Sequence, residues 1–441
     1  MHNQPAGRLR RRVGFGAGMT AATSMRPASR LSGEAAANLR RSLLMLMPGG
    51  LAIIATAGIA TGHIGKLSVS DSNSFFLFLL MELLAVGVGR LGFDQLVLSR
   101  ASTFEEPDLL GFTPMLFRVI LPLTAGVAGV LGLIIGGPAG LAVFIAAPID
   151  VMSTVTGSFE LGRRRYATNI AFAWLNYPVF LLFLVAPGIH VDTSSLTAIL
   201  VLFCSTSLLR GAVSVVLLAA HRRRQVEARH SRTLTVLTAR DKWVVADRSH
   251  DLTPRDLVGS GTVSVCQAFL QRPDVLVLAL FGSQFPKAAI ASYFVANRLL
   301  DASYTVSAVA GSLMQVSVDK SARRSWRDRR VLQLAVVWSA LWVVAALALL
   351  VLQWPHPLRG WGRIALAVPG AVLYLSIFRH VLTELAAGRS HAIARRFGGY
   401  LLIAVVAAAV AVVTGEPAVM FIPAAVNGLA STIALARASD S

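Results

Sequence analysis

The amino-acid sequence predicts an all-α integral membrane protein, with about twelve transmembrane helices in two six-helix bundles around a central cavity. From residue 43 to residue 437, long apolar runs alternate with short polar gaps about a dozen times. A helix needs roughly 20 mostly apolar residues to cross the hydrocarbon core of a bilayer. Only helices and closed barrels satisfy their backbone hydrogen bonds in lipid, and these runs are too long and too uniformly apolar for barrel strands.

The distribution of charge predicts the orientation of these helices. The chain carries a net charge of +19, but its basic residues lie in the gaps between apolar runs, and mostly in alternate gaps. Because cytoplasmic loops carry an excess of Arg and Lys, both termini are predicted to be cytoplasmic, in the cytoplasmic membrane of a bacterium. The same distribution argues against nucleic acid as a partner and indicates contact with membrane lipids instead.

The spans divide into two groups of six around a charged segment, residues 221–256, which is expected to be a solvated cytoplasmic linker. It separates an N-terminal bundle, residues 43–220, from a C-terminal bundle, residues 257–441. Residues 1–42 are polar and rich in arginine, and are expected to form a disordered cytoplasmic arm. The second and eighth spans are long, so each is expected to contain a break or to extend into the cytoplasm. The predicted spans are 43–62, 74–98, 115–136, 138–157, 168–188, 196–220, 257–281, 287–317, 331–352, 360–383, 395–414 and 416–437.

Polar side chains follow one face of the seventh span and one face of the eighth, at steps of three and four residues. Two interpretations are open: the polar faces pack together through interhelical hydrogen bonds, or they line a hydrated cavity. The cavity is favoured because two carboxylates and an arginine exceed what packing needs. These faces contain Ser260, Ser264, Gln267, Gln271 and Asp274 on the seventh span, and Tyr293, Asn297, Asp301 and Tyr304 on the eighth, with Arg298 close enough to pair with Asp301.

Other ionisable residues also lie within predicted spans, where they are costly and usually face a cavity or a partner. Glu82 lies about midway along the second span, and Arg272 precedes Pro273, which can kink the seventh. Further ionisable positions are Arg90 and Asp94, which are spaced for an ion pair at the membrane surface, Asp150 in the fourth span and Arg210 in the sixth.

Motifs for catalysis or for binding a cofactor are not found in the sequence. There is no P-loop, no HExxH and no GxSxG, and Cys204 and Cys266 fall inside apolar runs, without a second cysteine or a histidine at metal-ligand spacing. We therefore expect neither an enzyme nor a protein with a resident cofactor or metal.

The segment Leu270–Asp301, LQRPDVLVLALFGSQFPKAAIASYFVANRLLD, resembles the seventh and eighth helices of polysaccharide-biosynthesis flippases of the multidrug/oligosaccharidyl-lipid/polysaccharide exporter superfamily. The stretch Gly89–Arg100, GRLGFDQLVLSR, resembles the end of the second helix in that family. The chain departs from the family at Pro273, and many members have fourteen spans. The residues that carry the resemblance in the first segment are Asp274, Gly282, Tyr293, Arg298 and Leu299.

The resemblance implies that the chain flips a lipid-linked oligosaccharide, a polyprenyl-diphosphate glycan, across the membrane for surface polysaccharide synthesis. A polar cavity would replace the hydrogen bonds that the sugar loses, and an arginine would bind the diphosphate. The pathway would supply glycosyltransferases or a polymerase as partners. The candidate cavity residues are Arg298, Asp301, Asn297, Tyr293, Tyr304, Asp274, Gln267, Gln271, Arg272 and Glu82.

Two alternatives remain open. The first is a cation-coupled exporter of small molecules or drugs from the same superfamily, in which Asp274, Asp301 or Glu82 would bind the coupling cation. The second is a membrane-embedded glycan polymerase or ligase, which the short outer gaps of the chain disfavour.

Overall fold

The computed structural model describes most of the N-terminal bundle and parts of the C-terminal one. All the described residues belong to the larger of two units of the chain, residues 42–441. Regular secondary structure within them is entirely helical, and seven helical stretches are long and apolar enough to cross a bilayer. The predicted fold class is therefore confirmed. The described residues are 67–103, 109–175, 177–185, 194–238, 274–286, 361–386 and 390–440, with isolated positions between 44 and 51, at 192, and between 258 and 300.

Eight helices form the described part of the N-terminal bundle, and the fifth lies at its centre. The helices are α1 (Val69–Gly89), α2 (Phe93–Thr103), α3 (Leu109–Met115), α4 (Leu121–Ile135), α5 (Gly137–Gly162), α6 (Tyr166–Trp174), α7 (Tyr177–Val185) and α8 (Leu196–Thr238). A π-helical turn, Leu116–Ile120, joins α3 to α4. Helix α5 packs against α1, α2, α4, α6 and α8, and its small residues permit this close packing on several sides.

The predicted second span contains the expected break. Helix α1 ends at Gly89, and α2 begins at Phe93 after two residues with positive φ, Leu91 at 49° and Gly92 at 67°. Arg90 and Asp94 form the predicted ion pair, 3.0 Å between Nη1 and Oδ2, across this break. The Asp94 side chain is only 10% exposed, so the pair is partly buried rather than on the surface.

Helices α4 and α5 form a tight antiparallel hairpin at the predicted boundary. Gly136 and Gly137 turn the chain with φ values of 71° and 57°, which glycine adopts without strain. The two backbones approach closely at Gly132 and Gly140, which have no side chains. A Cβ atom at either position would collide with the carbonyl oxygen of the other.

Four helices are described in the C-terminal bundle: α9 (Asp274–Phe281), α10 (Trp361–Ala386), α11 (Ser390–Thr414) and α12 (Ile422–Asp440). A 3-10 helix, Pro417–Phe421, connects α11 to α12. Helix α10 packs closely on α12, where a Cβ atom at Gly428 would lie 2.5 Å from Leu373 Cβ. Helix α9 contacts α1 and α4 of the N-terminal bundle as well as α11, so it lies where the two bundles meet.

The sixth predicted span continues further than expected. Helix α8 runs on to Thr238, into the segment predicted as a linker from residue 221. An ion pair one turn apart, between Arg223 Nε and Glu227 Oε1 at 3.0 Å, stabilises this polar extension. Residues 239–256 of the predicted linker, the basic arm and the ninth predicted span lie outside the described residues, as does most of the first span.

Candidate functional site

Three ionisable side chains meet inside the N-terminal bundle: Glu82 on α1, Asp150 on α5 and Arg210 on α8. Glu82 and Asp150 are each 5% exposed, and the Arg210 side chain is 12% exposed. Arg210 Nη2 donates a hydrogen bond to Asp150 Oδ1, and the carboxyl group of Glu82 lies beside that of Asp150. We call these three residues the carboxyl cluster.

The carboxyl cluster lies well inside the apolar part of the bundle. Asp150 is near the middle of α5, which has 26 residues, and Arg210 is within the apolar part of α8. Helices α5 and α8 approach closely there, since a Cβ atom at Gly211 would lie 2.6 Å from the Ile149 side chain. Buried Arg210 Nε and Ser207 Oγ, on one face of α8, form no hydrogen bond among the described residues, so they are available to water or a ligand.

Polar contacts continue along α5 and α8 beyond the carboxyl cluster. Ser153 Oγ and Ser214 Oγ lie 3.2 Å apart, about one turn from Asp150 and Arg210. Still further along, Glu160 on α5 bonds to His221 on α8. Because contacts advance in the same direction on both helices, α5 and α8 run parallel in a fixed register.

The described members of the predicted polar faces contact each other. Asn297 Nδ2 donates to Asp274 Oδ2 at 3.3 Å, and both residues are 1% exposed. Tyr293 is also buried, with its ring stacked on Phe421 at 4.7 Å between centroids. The Asp274–Asn297 contact is the interhelical hydrogen bond of the packing interpretation. A cavity lined by the rest of these faces stays a prediction, because Arg298, Asp301, Tyr304, Gln267, Gln271 and Arg272 lie outside the described residues.

Sequence reasoning identified Glu82 as a candidate but did not connect it to Asp150 and Arg210. The paired residues Asp150 and Arg210 are 60 positions apart, on spans whose register the sequence does not give. The available signal was that ionisable residues within spans usually pair with one another. That rule would have suggested a partner for each residue without identifying it.

An apolar groove of about 600 Å³ opens beside helix α1, the helix that carries Glu82. Its walls come from both bundles, since α1 and α4 form most of it and Phe269 of the seventh predicted span contributes the remainder. The groove is lined by Leu84, Val88, Pro122, Gly126, Val130 and Phe269, among others.

Together, these helices define a multi-pass α-helical membrane protein with buried ionisable groups, and comparison with solved structures specifies the fold. One match is the outward-facing conformation of a multidrug resistance MATE family transporter of the MOP superfamily, with 16% identity and a TM-score of 0.53 over 90% of this chain and 93% of that one. A second is a MATE structure in complex with MaD3S, with 12% identity and a TM-score of 0.54 over 92% and 97%. A third is MATE in complex with MaD5, with 14% identity and a TM-score of 0.53 over 90% and 93%.

The chain therefore has the fold of MATE transporters, which have twelve helices. This is the fold of the superfamily indicated by the sequence resemblance. No protein-family model and no curated protein matches the chain.

Proposed function

We propose that this chain is a proton-coupled exporter of small amphipathic molecules that works by alternating access. Its fold is shared with a transporter described as a multidrug resistance protein. This function corresponds to the cation-coupled exporter among the alternatives, with Glu82 retained as a coupling residue and Asp150 and Arg210 added to it.

The observation that carries the proposal is the carboxyl cluster. Ionisable groups inside a membrane are costly and usually functional, often as proton relays. In the proposed proton-bound state, one proton is shared between Glu82 and Asp150, and the cluster has one negative and one positive charge. Loss of that proton places two carboxylates against each other beside a single guanidinium, which changes the net charge of the cluster from zero to −1.

This change in charge gives a physical basis for coupling. In this proposal, a proton shared between Glu82 and Asp150 holds α1 to the pair formed by α5 and α8, because the two carboxyl groups lie side by side. Without it, repulsion between two carboxylates in a medium of low dielectric favours separation of α1 from α5. A proton thus binds one arrangement of the bundle more tightly than the other, which is what a coupling ion requires.

The Arg210 guanidinium favours a proton over a metal cation as the coupling ion. It already supplies the positive charge next to Asp150, and it stays protonated in proteins. A sodium ion entering the same place would be repelled by it, whereas a proton bound between the carboxyl groups neutralises the excess negative charge.

The test uses the full-length chain in proteoliposomes that contain the pH dye pyranine. Ethidium, or another amphipathic organic cation from a panel, is loaded inside the proteoliposomes. After the proteoliposomes are diluted, pyranine fluorescence records the proton movement that efflux of the cation drives. We expect coupled flux for the wild type and its loss in D150N and E82Q, which keep size and hydrogen-bonding capacity.

The matched control is D94N, since Asp94 is a buried aspartate paired with an arginine outside the carboxyl cluster. It should transport like the wild type. Elution of each variant as a monodisperse species on size exclusion establishes that it is folded. Wild-type coupling in both D150N and E82Q would overturn the proposal, as would a wild type that moves no proton with any cation.

The second candidate function is the flipping of a lipid-linked oligosaccharide, and the apolar groove favours it. A groove of this size between α1, α4 and Phe269 provides a place for part of a polyprenyl chain. Arg298 would bind the diphosphate, as the family resemblance implies. The measurement is outer-leaflet exposure of a fluorescent lipid-linked oligosaccharide in liposomes, with R298A expected to abolish it.

Filling the groove separates the two candidate functions. A Cβ atom at Gly126 would meet nothing within 4 Å, so G126W should fill the groove without distorting α4. We expect it to slow glycolipid flipping and to leave efflux of organic cations unchanged. Equal effects on both activities would exclude the groove as a lipid site.

A further inference from the structure

Resting on the proposed proton coupling, we infer that Glu160 and His221 form a second proton-binding site, through which protons leave the carboxyl cluster. We call these two residues the inner pair. They lie at the ends of the apolar parts of α5 and α8 that the arginine distribution predicts to be cytoplasmic.

The inner pair is buried, although it is close to the end of the helices. Glu160 is 1% exposed and His221 is 5% exposed, and the His221 Nε2 atom is hydrogen-bonded to Glu160 Oε1. Packing alone does not require a carboxylate and an imidazole here, because burial of such groups costs free energy unless each is paired. An imidazole is also the side chain that most readily changes charge near neutral pH.

The contacts of the imidazole ring show which charged groups a proton on the ring would meet. Glu160 Oε1 is hydrogen-bonded to Nε2, and Arg165 Nη1 lies 3.1 Å from Nε2 and 3.3 Å from Nδ1. A proton from the carboxyl cluster that adds to the neutral ring gives an imidazolium paired with Glu160. Loss of the same proton to water restores the neutral ring and its contact with Arg165.

Arg165 favours release of the proton from the inner pair to water. Its side chain is 36% exposed, so it can move into water when the ring becomes charged and return when the ring is neutral. On returning, it places a second positive charge against the imidazole, which favours release of the proton. Arg165 also lies 3.7 Å from Glu160 Oε2, so it stays attached to the site through the carboxylate.

The other groups around the inner pair do not replace Arg165 in this role. The Phe159 ring centroid lies 5.5 Å from that of the imidazole. The Arg163 guanidinium lies over the Phe159 ring, 5.8 Å from its centroid. The acidic residues of α1 and α2, which also pack on α5, are Asp71 in the first turn of α1, Glu82 in the carboxyl cluster, and Asp94. Asp94 is already paired with an arginine. Helix α3, which packs on α8, has no ionisable side chain, and neither has α7 apart from the tyrosine at its start.

The inner pair and the carboxyl cluster lie on the same two parallel helices. Asp150 and Glu160 are ten residues apart on α5, which corresponds to about 15 Å. The hydroxyl groups of Ser153 and Ser214 lie between them, 3.2 Å from each other, and Thr156 is a further buried hydroxyl on α5. A proton therefore meets polar groups along this helix pair in otherwise apolar surroundings.

The first experiment measures proton binding directly. Full-length protein labelled with ¹⁵N-histidine is placed in nanodiscs and titrated by NMR, and the His221 signal is assigned by its absence in H221Q. We expect the His221 signal to change with pH in the wild type. The pH dependence should differ in R165Q, which removes a positive charge beside the ring, and in E160Q, which removes the partner of the imidazolium.

The second experiment measures ethidium-driven proton flux in the same proteoliposomes as above. We expect H221Q and E160Q to slow this flux by about tenfold or more, since each removes a proton-transfer group. The matched control is H380Q, because His380 is a buried histidine that contacts an arginine, Arg396, at 3.2 Å on α10 and α11. It should leave the flux unchanged.

The outcomes separate this inference from the proposed function. A wild-type rate and pH profile in H221Q, or a His221 signal that does not titrate, overturns the inference alone, provided that D150N abolishes the flux. If the wild type shows no proton flux driven by ethidium or any other cation of the panel, the proposed function is overturned, and this inference with it.

Discussion

Replacing both carboxyl groups of the carboxyl cluster by amides should leave an uncompensated positive charge inside the bundle. In the E82Q/D150N double variant, Arg210 keeps its charge because a guanidinium does not lose its proton in proteins. Its side chain is only 12% exposed, so water does not replace the lost partner. Breaking a buried ion pair in this way costs about 3–5 kcal/mol. In a chain of this length, such a loss lowers the melting temperature by about 3–5 °C.

The assay is thermal unfolding of the purified protein in detergent, followed by size exclusion of the fraction that remains folded. Adding R210Q to the double variant removes the unpaired charge, so the triple variant should recover most of the lost stability. The matched control D94N leaves Arg90 unpaired, but the Arg90 side chain is 31% exposed and stays hydrated, so the expected cost is about 1 kcal/mol or less.

Two results would refute this reasoning. If E82Q/D150N melts at the wild-type temperature, Arg210 does not depend on these carboxyl groups for compensation. If the triple variant is no more stable than the double variant, the loss came from packing around the amides and not from an unpaired charge.

Three further predictions concern other described contacts. G140L should prevent the close approach of α4 and α5, because its Cβ atom would collide with a backbone carbonyl of α4, and the measurement is loss of folded protein on size exclusion. N297A should lower the free energy of unfolding by about 1 kcal/mol, the usual value of an interhelical hydrogen bond, and a cost of zero in thermal unfolding would show that its bond to Asp274 is not stabilising. Hydrogen bonds from the Ser194 side chain and backbone lower the pKa of Asp192, so S194A should raise that pKa in an NMR titration. Since a lowered pKa stabilises the folded state above the unfolded pKa and the effect is lost as pH falls, the wild type and S194A should become alike in acid.

Much of the helical architecture was predictable from local sequence. The predicted boundary between the third and fourth spans, at residue 137, coincides with the turn that Gly136 and Gly137 form at positive φ, a conformation that depends on local sequence. The break after Gly89 was likewise expected from the length of the second apolar run. The helix of the sixth span extends beyond the apolar run: hydropathy falls at residue 221, but Arg223, Glu227 and their neighbours continue the helix.

The candidate site was predictable only in part. Glu82 was identified because a carboxylate midway along an apolar run is costly wherever the helix packs. The ion pair between Asp150 and Arg210 was not identified, nor was the bond between Glu160 and His221, because both join α5 to α8 across about 60 residues of chain. Periodicity reports which residues share a face of one helix, and it contains no information on which helix lies opposite.

The sequence by itself determined that this chain crosses a membrane many times as helices, because backbone groups in hydrocarbon must be satisfied within the segment and because apolar run length and arginine placement are local properties. Only the tertiary structure decided which buried charges are partners. The parallel packing of α5 and α8 sets the register that brings Asp150 to Arg210 and Glu160 to His221, and the crossing of α1 over α5 adds Glu82 to them. Those pairings depend on side-chain distances between helices, which are set when the bundle packs.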